Sequence, residues 1–458
     1  MLLSFIRPIM HTFVLFTLAT STAFATNILI VNNDPSNEGL NDLTSVEPVT
    51  GNSATTLGAQ YLNVFQAAAD YWEERLDSSI TIRAGAKLYP LVPLDCDETS
   101  AVLGSAGPNY VYANFPNAPL TNTVYTAAQA SSLANFDFTG GQNSLSMTFN
   151  NGIGTPDCLS GISWWLGINS AAPNGTISFY DTVLHELAHG LGFLTFVNEL
   201  GEKIVATVDE EDVFMDDVFM TNLFDQSSAK SWPDMTDDER ESSSFNTGNL
   251  VWNGLTVTQN SGYLTAGKDG SNVRIYAPSP YEPGSSVSHW DTTLAPDELM
   301  EPSATATSDD CATTSAFKDM GWTTKGVSFT QSTKTGYEAV GSVSISVNRP
   351  IVCAQEAVSV QVASTDGSAQ SGSDYTSVSQ TLNWASGETD AKTVTVTLFD
   401  DGLEELNGET FTLNLSNPAG GATLGSITSA TITIQDKRDD DFCFPIKTVS
   451  GKVAIVCL

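Results

Sequence analysis

Residues 182–193 read TVLHELAHGLGF, and the rest of the chain is interpreted relative to them. His185 and His189 are four residues apart, so a helix places the two side chains one turn from each other on the same face. Two imidazoles in this arrangement can bind one zinc ion, and Glu186 between them is placed to act as a general base on water. The stretch therefore predicts a helix that carries a hydrolytic zinc site.

The flanking residues favour a genuine helix over a chance match to a short pattern. Ser178 and Asp181 are suitable residues for a helix start. Gly190 and Gly192 supply a stop signal directly after the second histidine. The buried face would be formed by Val183, Leu184, Leu187, Ala188 and Leu191.

Length and charge set limits on the rest of the chain. A chain of 458 residues, 41% of them hydrophobic, should form two or three ordinary domains. Its 53 acidic and 18 basic residues give a net charge of −35, which argues against binding to nucleic acid or to anionic membranes. The charge is compatible with calcium binding or with a saline extracellular medium, although a highly soluble acidic surface explains most of it.

The N-terminus predicts export. Arg7 precedes an apolar run at 13–19, and the small residues of Ala-Phe-Ala at 23–25 form a cleavage site that would end a secretory signal over 1–25. The apolar run is too short to span a bilayer. We therefore expect a secreted or extracellular protein, with association to the cell surface as an alternative.

Zinc chemistry needs a third protein ligand, and the chain offers few candidates. Cleavage of the signal leaves His185, His189 and His289 as the remaining histidines. His289 is therefore the predicted third ligand, and a stray core or surface histidine is the alternative interpretation. Asp291 is the fallback oxygen ligand.

Six cysteines in an exported chain predict disulfides, although their spacing does not select one of the fifteen possible connectivities. We expect Cys443 and Cys457 to close a small C-terminal loop, and Cys96 to pair with Cys158 upstream of the zinc helix. The remaining pair, Cys311 with Cys353, would cross a domain junction.

The segment before the zinc helix predicts an α/β layer. Residues 27–31 and 79–83 have the composition and alternation of strands, and residues 57–76 carry apolar side chains at helical spacing. Residues 99–142 are poorly periodic and are interpreted as loops, with a helix near 126–134.

Two further segments leave alternatives open. Residues 145–149 alternate like a strand, which is either the sheet edge that pairs with an extended substrate or an ordinary inner strand. An insert over about 196–285 contains apolar clusters at 213–215 and 218–220, which are expected to pack against the domain or to belong to a mobile lid. Its acidic run at 209–212 is a solvated loop or a calcium ligand set.

Residues 327–437 differ in character from the rest. Alternating Val, Thr, Ile and Ser residues separated by turn residues predict an all-β sandwich. Acidic residues near the strand ends are hard oxygen ligands of the kind that calcium prefers. The predicted strands are 342–348, 357–363, 392–398, 410–415 and 429–434.

The zinc pattern resembles the metzincin clan of zinc endopeptidases, and most closely its leishmanolysin-type branch. Gly192 matches the glycine of the metzincin pattern, but Thr195 stands where most members have the third histidine. In the leishmanolysin-type branch an insertion separates the two, so His289 corresponds to that ligand. Met300, eleven residues later, corresponds to the methionine of the turn beneath the zinc. The resemblance implies an α+β catalytic domain with a twisted mixed sheet and a zinc-binding active-site helix, as in exported bacterial proteins of this architecture.

The activity implied is hydrolysis of a peptide bond in a protein or peptide substrate. Zinc held by three imidazoles would polarise the scissile carbonyl and lower the pKa of its bound water to about 7. Glu186 would take the proton from that water and pass it to the leaving amine. Met300 would pack beneath the histidines, a role that barely differs from that of any core methionine.

Residues 327–437 resemble a Calx-beta domain through the motifs Gly336-Tyr337-Glu338, DGSA and GSDY over 366–375, FDDGLEE over 399–405, and Ile434-Gln435-Asp436. Calcium-binding members of that family take their ligands from these positions. Lys437 and Arg438 interrupt the closing acidic cluster, and many such domains serve only as adhesive or spacer modules. The implied calcium ligands are Glu338, Asp374, Asp400 and Asp401.

Taken in order, the sequence predicts a signal over 1–25, a zinc peptidase domain over 26–326, a Calx-beta sandwich over 327–437 and a disulfide-closed tail over 438–458. One alternative is a calcium-dependent surface adhesion or matrix protein whose metzincin-like domain is not proteolytic. The intact Glu186 and three histidines argue against it. A second alternative is a zinc hydrolase acting on a non-peptide bond, which a cleft without a free edge strand beside the metal would favour.

Overall fold

A computed structural model describes residues 27–89, 94–208, 211–303, 309–349, 357–400, 408–420, 422–435, 443–447 and 453–457. The predicted signal over 1–25, Cys353 and the calcium candidate Asp401 lie outside the described residues. Two separate apolar cores organise the chain. One contains buried side chains from Ile28 to Trp322, and the other contains side chains from Val327 to Ile434.

The region of the first core combines helices with short strands. The helices are α1 (Leu57–Glu73), α2 (Ala127–Ala134), α3 (Phe179–Leu191), α4 (Asp237–Ser244), α5 (Leu255–Asn260) and α6 (Cys311–Asp319). The strands are β1 (Asn27–Asn32), β2 (Thr81–Tyr89), β3 (Gly104–Pro108), β4 (Val111–Ala113), β5 (Thr123–Thr126), β6 (Leu145–Asn150), β7 (Ser163–Trp165), β8 (Thr176–Ser178), β9 (Ile204–Val208), β10 (Glu211–Asp217), β11 (Leu223–Asp225), β12 (Lys230–Ser231), β13 (Leu250–Trp252), β14 (Lys268–Asp269) and β15 (Asn272–Arg274).

A four-stranded mixed sheet in the order β1-β2-β6-β3 supports the site. Strands β1, β2 and β6 run parallel, and β3 pairs antiparallel with β6 at the sheet edge. Helix α1 buries Val64, Phe65 and Trp72 in the core, as its helical spacing predicts, and the Trp72 indole donates to the carbonyl of Leu184 in α3 (3.1 Å). The strands at 27–31 and 145–149 and the helices near 57 and 126–134 are confirmed.

The edge strand is a correction to the sequence analysis. Strand β6, for which the sequence left both an edge and an inner position open, is an inner strand, and the edge is β3, within a segment predicted to be loop. Its sequence, GSAGP, has two glycines, a proline and no β-branched residue, so it carries no strand signal. Pairing with β6 imposes the strand, and proline is tolerated at an edge.

The insert packs against the domain. Strand β10 pairs in parallel with β5, so the insert joins a sheet that begins before the zinc helix. Phe219 and Met220 are buried in the first core, as predicted, but Phe214 of the other apolar cluster is 63% exposed.

The second core lies in an all-β sandwich, as predicted. One sheet has the order β16-β18-β21 and the other β17-β23-β22-β19-β20. Tyr375 stacks on Phe411 with ring centroids 3.9 Å apart, and both rings are fully buried. The strands are β16 (Ser328–Phe329), β17 (Thr333–Tyr337), β18 (Ser342–Asn348), β19 (Val358–Asp366), β20 (Ser379–Trp384), β21 (Lys392–Thr397), β22 (Glu409–Ala419) and β23 (Ser429–Gln435), followed by a hairpin of β24 (Cys443–Lys447) and β25 (Val453–Cys457).

The structure tests the three predicted cysteine pairs to different extents. Cys96 and Cys158 are bonded to each other, as predicted. Cys311 is disulfide-bonded, but its expected partner Cys353 lies outside the described residues. Cys443 and Cys457 are opposite each other in the β24–β25 register.

In the described part of the chain, no helix is both long enough and apolar enough to cross a membrane.

Candidate metal centre

Helix α3 begins and ends where its sequence predicts. The Ser178 side chain accepts a hydrogen bond from the backbone of Asp181 (3.2 Å) and so caps the first turn. Gly192 ends the helix at φ 126°, a backbone conformation that favours glycine. A Cβ on Gly190 would lie 2.8 Å from Leu145 Cδ1, so this glycine lets the helix approach β6 closely.

The three predicted histidines meet at one point. The Nε2 atoms of His185, His189 and His289 form a triangle in which each side is 3.1 Å. His185 and His189 come from successive turns of α3, and His289 comes from a loop about one hundred residues later. The fold therefore brings His289, the predicted third ligand, next to the two histidines of α3. In the described part of the chain, these histidines form the one group of three or more possible metal ligands.

The other nitrogen of each imidazole is fixed by a backbone carbonyl. Nδ1 of His185, of His189 and of His289 lies 2.9, 2.7 and 2.8 Å from the carbonyl oxygens of Leu299, Phe193 and Ser285, respectively. A carbonyl can only accept a hydrogen bond, so each Nδ1 carries the proton. Each Nε2 is then unprotonated and carries a lone pair in the neutral ring.

Burial keeps these rings neutral. It lowers the pKa of His185 to about 4 and that of His189 to about 3, and it lowers the pKa of His289 well below its usual value. Three lone pairs therefore point at one another across 3.1 Å, an arrangement that is repulsive unless a cation lies between them.

A zinc ion fits this triangle. His185, His189 and His289 would hold the ion through their Nε2 atoms, which are 3.1 Å apart and are the nitrogen ligands that zinc prefers. A set of three protein ligands is typical of catalytic rather than structural zinc, because it would leave a position for water.

Two backbone hydrogen bonds tie the loop of His289 to Tyr276. The backbone N–H of Tyr276 donates to the His289 carbonyl (2.9 Å), and that of Val287 donates to the Tyr276 carbonyl (2.8 Å). Val287 has a φ of 71°, which is strained for a β-branched residue. The fallback ligand Asp291 does not join the histidine group, because its carboxylate accepts from the backbone and hydroxyl of Thr293.

Met300 lies in the turn next to this loop, at the place expected from its spacing. Its side chain is fully buried, and its carbonyl accepts from the backbone N–H of Trp290 (2.8 Å). The preceding carbonyl, of Leu299, accepts from His185. The turn thus contacts His185 and Trp290, the residue after His289.

Thr195, at the position of the missing histidine, has a different use. Its hydroxyl donates to Asp217 Oδ2 (2.7 Å), and its backbone N–H donates to the hydroxyl of Ser288 (3.2 Å). It therefore links the end of the zinc helix to the insert and to the loop of His289.

Glu186 faces a cleft of about 720 Å³ that also contains the three histidines. The side chain is only 7% exposed, and burial raises its pKa to about 8. A Cβ on Gly104 of β3 would lie 3.1 Å from Glu186 Oε1. The edge strand therefore runs directly beside the carboxylate, and sequence analysis missed it because β3 carries no strand pattern.

Strand β3 has an unpaired side within the described ranges, because it pairs there with β6 alone. Gly104, Ser105 and Ala106 line the cleft beside the histidines. The charged residues that line the cleft are acidic: Asp181, Glu186 and Glu301. The arrangement can bind a metal, hold a proton acceptor beside it and offer backbone hydrogen bonds to an extended chain.

The calcium candidates are not gathered in the same way. Glu338 and Asp374 are buried, whereas Asp400 is exposed. One carboxylate oxygen of Asp374 accepts from the backbone N–H of Gln370 (2.6 Å). Within the described residues, these acids do not form a group of three close ligand atoms, and Asp401 lies outside that range.

Comparison with known proteins places one family on the chain. Residues 323–438 match the family model of the Calx-beta domain. Among solved structures, the chain is similar to the apo form of the Calx CBD1 domain, with 27% identity over 24% of this chain and 96% of that chain and a TM-score of 0.23. It is also similar to the calcium binding domain CBD12 of CALX1.1, with 28% identity over 25% of this chain and 46% of that chain and a TM-score of 0.23. No curated protein matches the chain.

The family match supports a Calx-beta domain at the C-terminal side of the chain, which begins four residues before the predicted start at 327. The match does not extend to residues 27–322, so the interpretation of that region relies on its own side chains.

Proposed function

We propose that residues 27–322 form a secreted zinc-dependent endopeptidase of the metzincin type. One observation carries the proposal: the Nε2 atoms of three neutral histidines lie 3.1 Å from one another, beside the buried carboxylate of Glu186. Three histidines with an open fourth position are the ligand set of catalytic zinc.

Each residue has a defined task in this proposal. Bound zinc supplies an acidified water and a Lewis acid for the scissile carbonyl. Glu186 accepts the proton of the attacking water and returns it to the leaving amine. Burial raises the pKa of Glu186 to about 8, which makes its carboxylate a stronger base than an exposed one.

A peptide is the substrate class that suits the cleft best. An extended peptide can add a strand to the unpaired side of β3, and this pairing would hold its scissile bond over the histidines. A free edge strand beside the metal disfavours a hydrolase for non-peptide bonds, which has no use for it.

A second candidate follows from the Calx-beta match. The family match covers that domain alone, so it supports a calcium-binding or adhesive module more directly than it supports a peptidase. In this candidate the chain is a calcium-dependent surface or matrix protein, and Glu338, Asp374, Asp400 and Asp401 are the proposed calcium ligands.

Cleavage mapping separates the candidates. Purified wild-type protein is incubated with an unfolded protein substrate, and new N-termini are identified with zinc present and after chelation. We expect new N-termini that require zinc and that disappear in Glu186→Ala. Zinc binding without new N-termini would refute the peptidase.

Calcium titration tests the second candidate. If the Calx-beta domain binds calcium, calcium should raise its unfolding temperature, and Asp374→Asn should reduce the shift. An unfolding temperature that does not respond to calcium would refute calcium binding.

A further inference from the structure

A buried hydrogen-bond network lies behind the histidines and centres on Thr313 of α6. The Thr313 side chain is fully buried. Its hydroxyl accepts from the indole N–H of Trp290 (2.9 Å) and donates to the Glu298 carboxylate (3.1 Å). One hydroxyl group therefore links the residue after His289 to the turn before Met300, and it adds a side-chain link to the backbone bond between Trp290 and Met300.

Both partners of Thr313 are immediate neighbours of the metal site. Trp290 follows the ligand His289 in the chain. Glu298 precedes Leu299, whose carbonyl fixes the Nδ1 atom of His185. The placement of His185 relative to His289 therefore depends on groups that meet at the Thr313 hydroxyl.

Hydrogen bonds also join this network to the first turn of α6. Glu298 is only 1% exposed, and its carboxylate accepts from the backbone N–H groups of Ala312 (3.1 Å) and Thr313 (3.4 Å) and from the hydroxyl of Tyr263. A carboxylate at a helix N-terminus is stabilised by the unpaired N–H groups and by the helix dipole. The first turn of α6 thus serves as the frame for both loops.

We propose that Thr313 is a positioning residue for the metal site and that its hydroxyl holds the two loops at the separation that zinc requires. This inference rests on the proposed function for the presence of zinc. Loss of the hydroxyl leaves a buried indole N–H without a partner and removes a donor from Glu298, so both loops shift to find new partners. Groups that hydrogen-bond directly to metal ligands typically contribute about 10- to 100-fold to metal affinity, and Thr313 acts one contact further out, so its effect should fall at the lower end of that range.

The test compares three substitutions in the full-length chain. Thr313→Val removes the hydroxyl and keeps the shape, whereas Thr313→Ser keeps the hydroxyl. Thr314→Val is the matched control, because Thr314 is 2% exposed on the same helix and its hydroxyl bonds to Asp310 (3.4 Å) rather than to the zinc loops. The zinc dissociation constant is measured by competition with a chromogenic chelator, and the unfolding temperature is recorded in parallel.

We expect Thr313→Val to raise the zinc dissociation constant about 10-fold, the lower end of the range for direct partners of metal ligands. Thr313→Ser and Thr314→Val should stay within about threefold of wild type, even if the control lowers the unfolding temperature. An unchanged dissociation constant for Thr313→Val, or an equal increase for Thr314→Val, would overturn the inference. If Thr313→Val does not fold, Trp290→Phe removes the same hydrogen bond from its donor side, and unchanged zinc binding in that variant would overturn it as well.

The wild-type protein separates this inference from the proposed function. A wild type that binds no zinc would refute both. A wild type that binds zinc but cleaves no peptide would refute the peptidase alone, and the Thr313 comparison would then decide the inference by itself.

Discussion

Alanine at Gly104 should disable the site without touching a metal ligand. The added Cβ would lie 3.0 Å from Glu186 Cγ and 3.0 Å from Phe149 Cδ1. Carbon atoms pack at about 3.5–4.0 Å, so one neighbour has to move by roughly 0.5–1 Å. Phe149 is fully buried in a close-packed core, whereas Glu186 faces the cleft, so the displacement falls on Glu186.

The size of the effect follows from that displacement. A misplacement of about 1 Å can cost on the order of 10²-fold in rate. We therefore expect Gly104→Ala to lower kcat about 10- to 100-fold, equivalent to about 1.4–2.7 kcal/mol. Zinc content should be unchanged, because the carbonyls that hold the histidines come from Phe193, Ser285 and Leu299.

The same strand provides the control. A Cβ on Gly107 meets nothing within 4 Å, so Gly107→Ala should retain nearly full activity. The assay is steady-state cleavage of a quenched fluorescent peptide, with zinc measured in each preparation. Full activity in Gly104→Ala, or equal losses in both variants, would refute the proposed contact between β3 and Glu186.

Three further predictions concern ligation, pH and packing. His289→Ala should weaken zinc binding by more than about 100-fold, because it removes a direct ligand rather than an outer partner; Asp291→Ala should not, and the reverse order would reassign the third ligand. Burial raises the pKa of Asp217 from 3.8 to about 6. The protonated Asp217 therefore contributes its full share to the free energy of unfolding below about pH 4. This contribution, roughly 3 kcal/mol, is lost as the pH rises through about 6. The amide of the Asp217→Asn variant does not titrate, so the wild type loses this contribution between pH 4 and pH 7 and the variant does not. The difference in unfolding free energy between the two proteins should therefore shrink from pH 4 to pH 7, and a constant difference would contradict the raised pKa. Gly190→Ala should lower the unfolding free energy by about 1–3 kcal/mol, because its Cβ would lie 2.8 Å from Leu145 Cδ1; urea unfolding that matches wild type would count against the close approach of α3 and β6.

The local part of the site was predictable from sequence. The spacing of His185 and His189 places both on one helix face whatever the surroundings, and Gly192 marks the helix end. His289 was predictable because the expected mature chain has few histidines, which made a long-range contact a matter of elimination.

The supporting part of the site was not predictable, because it depends on contacts between distant segments. Strand β3 is set by its pairing with β6 and not by its own residues. Thr313 looks like any buried helix residue until Trp290 and Glu298 are seen beside it. The carbonyls that orient the three imidazoles carry no sequence signal at all, since every residue has one.

For the calcium candidates, the sequence identifies the residues but does not predict whether they lie close enough to bind an ion. Glu338, Asp374 and Asp400 are identifiable from motifs, but the described residues do not bring three ligand atoms together. A motif identifies the domain through its strands and turns, whereas ion binding depends on the simultaneous placement of several carboxylates.

The most direct test of the peptidase mechanism is one comparison of wild type with Glu186→Ala, in which zinc per chain and the rate of peptide cleavage are measured on the same samples. The mechanism predicts about one zinc per chain in both proteins, because Glu186 is not a ligand. It also predicts that cleavage in the variant falls by about 10²- to 10⁴-fold, the usual contribution of a general base. Equal cleavage by the two proteins, or wild type without bound zinc, would contradict it.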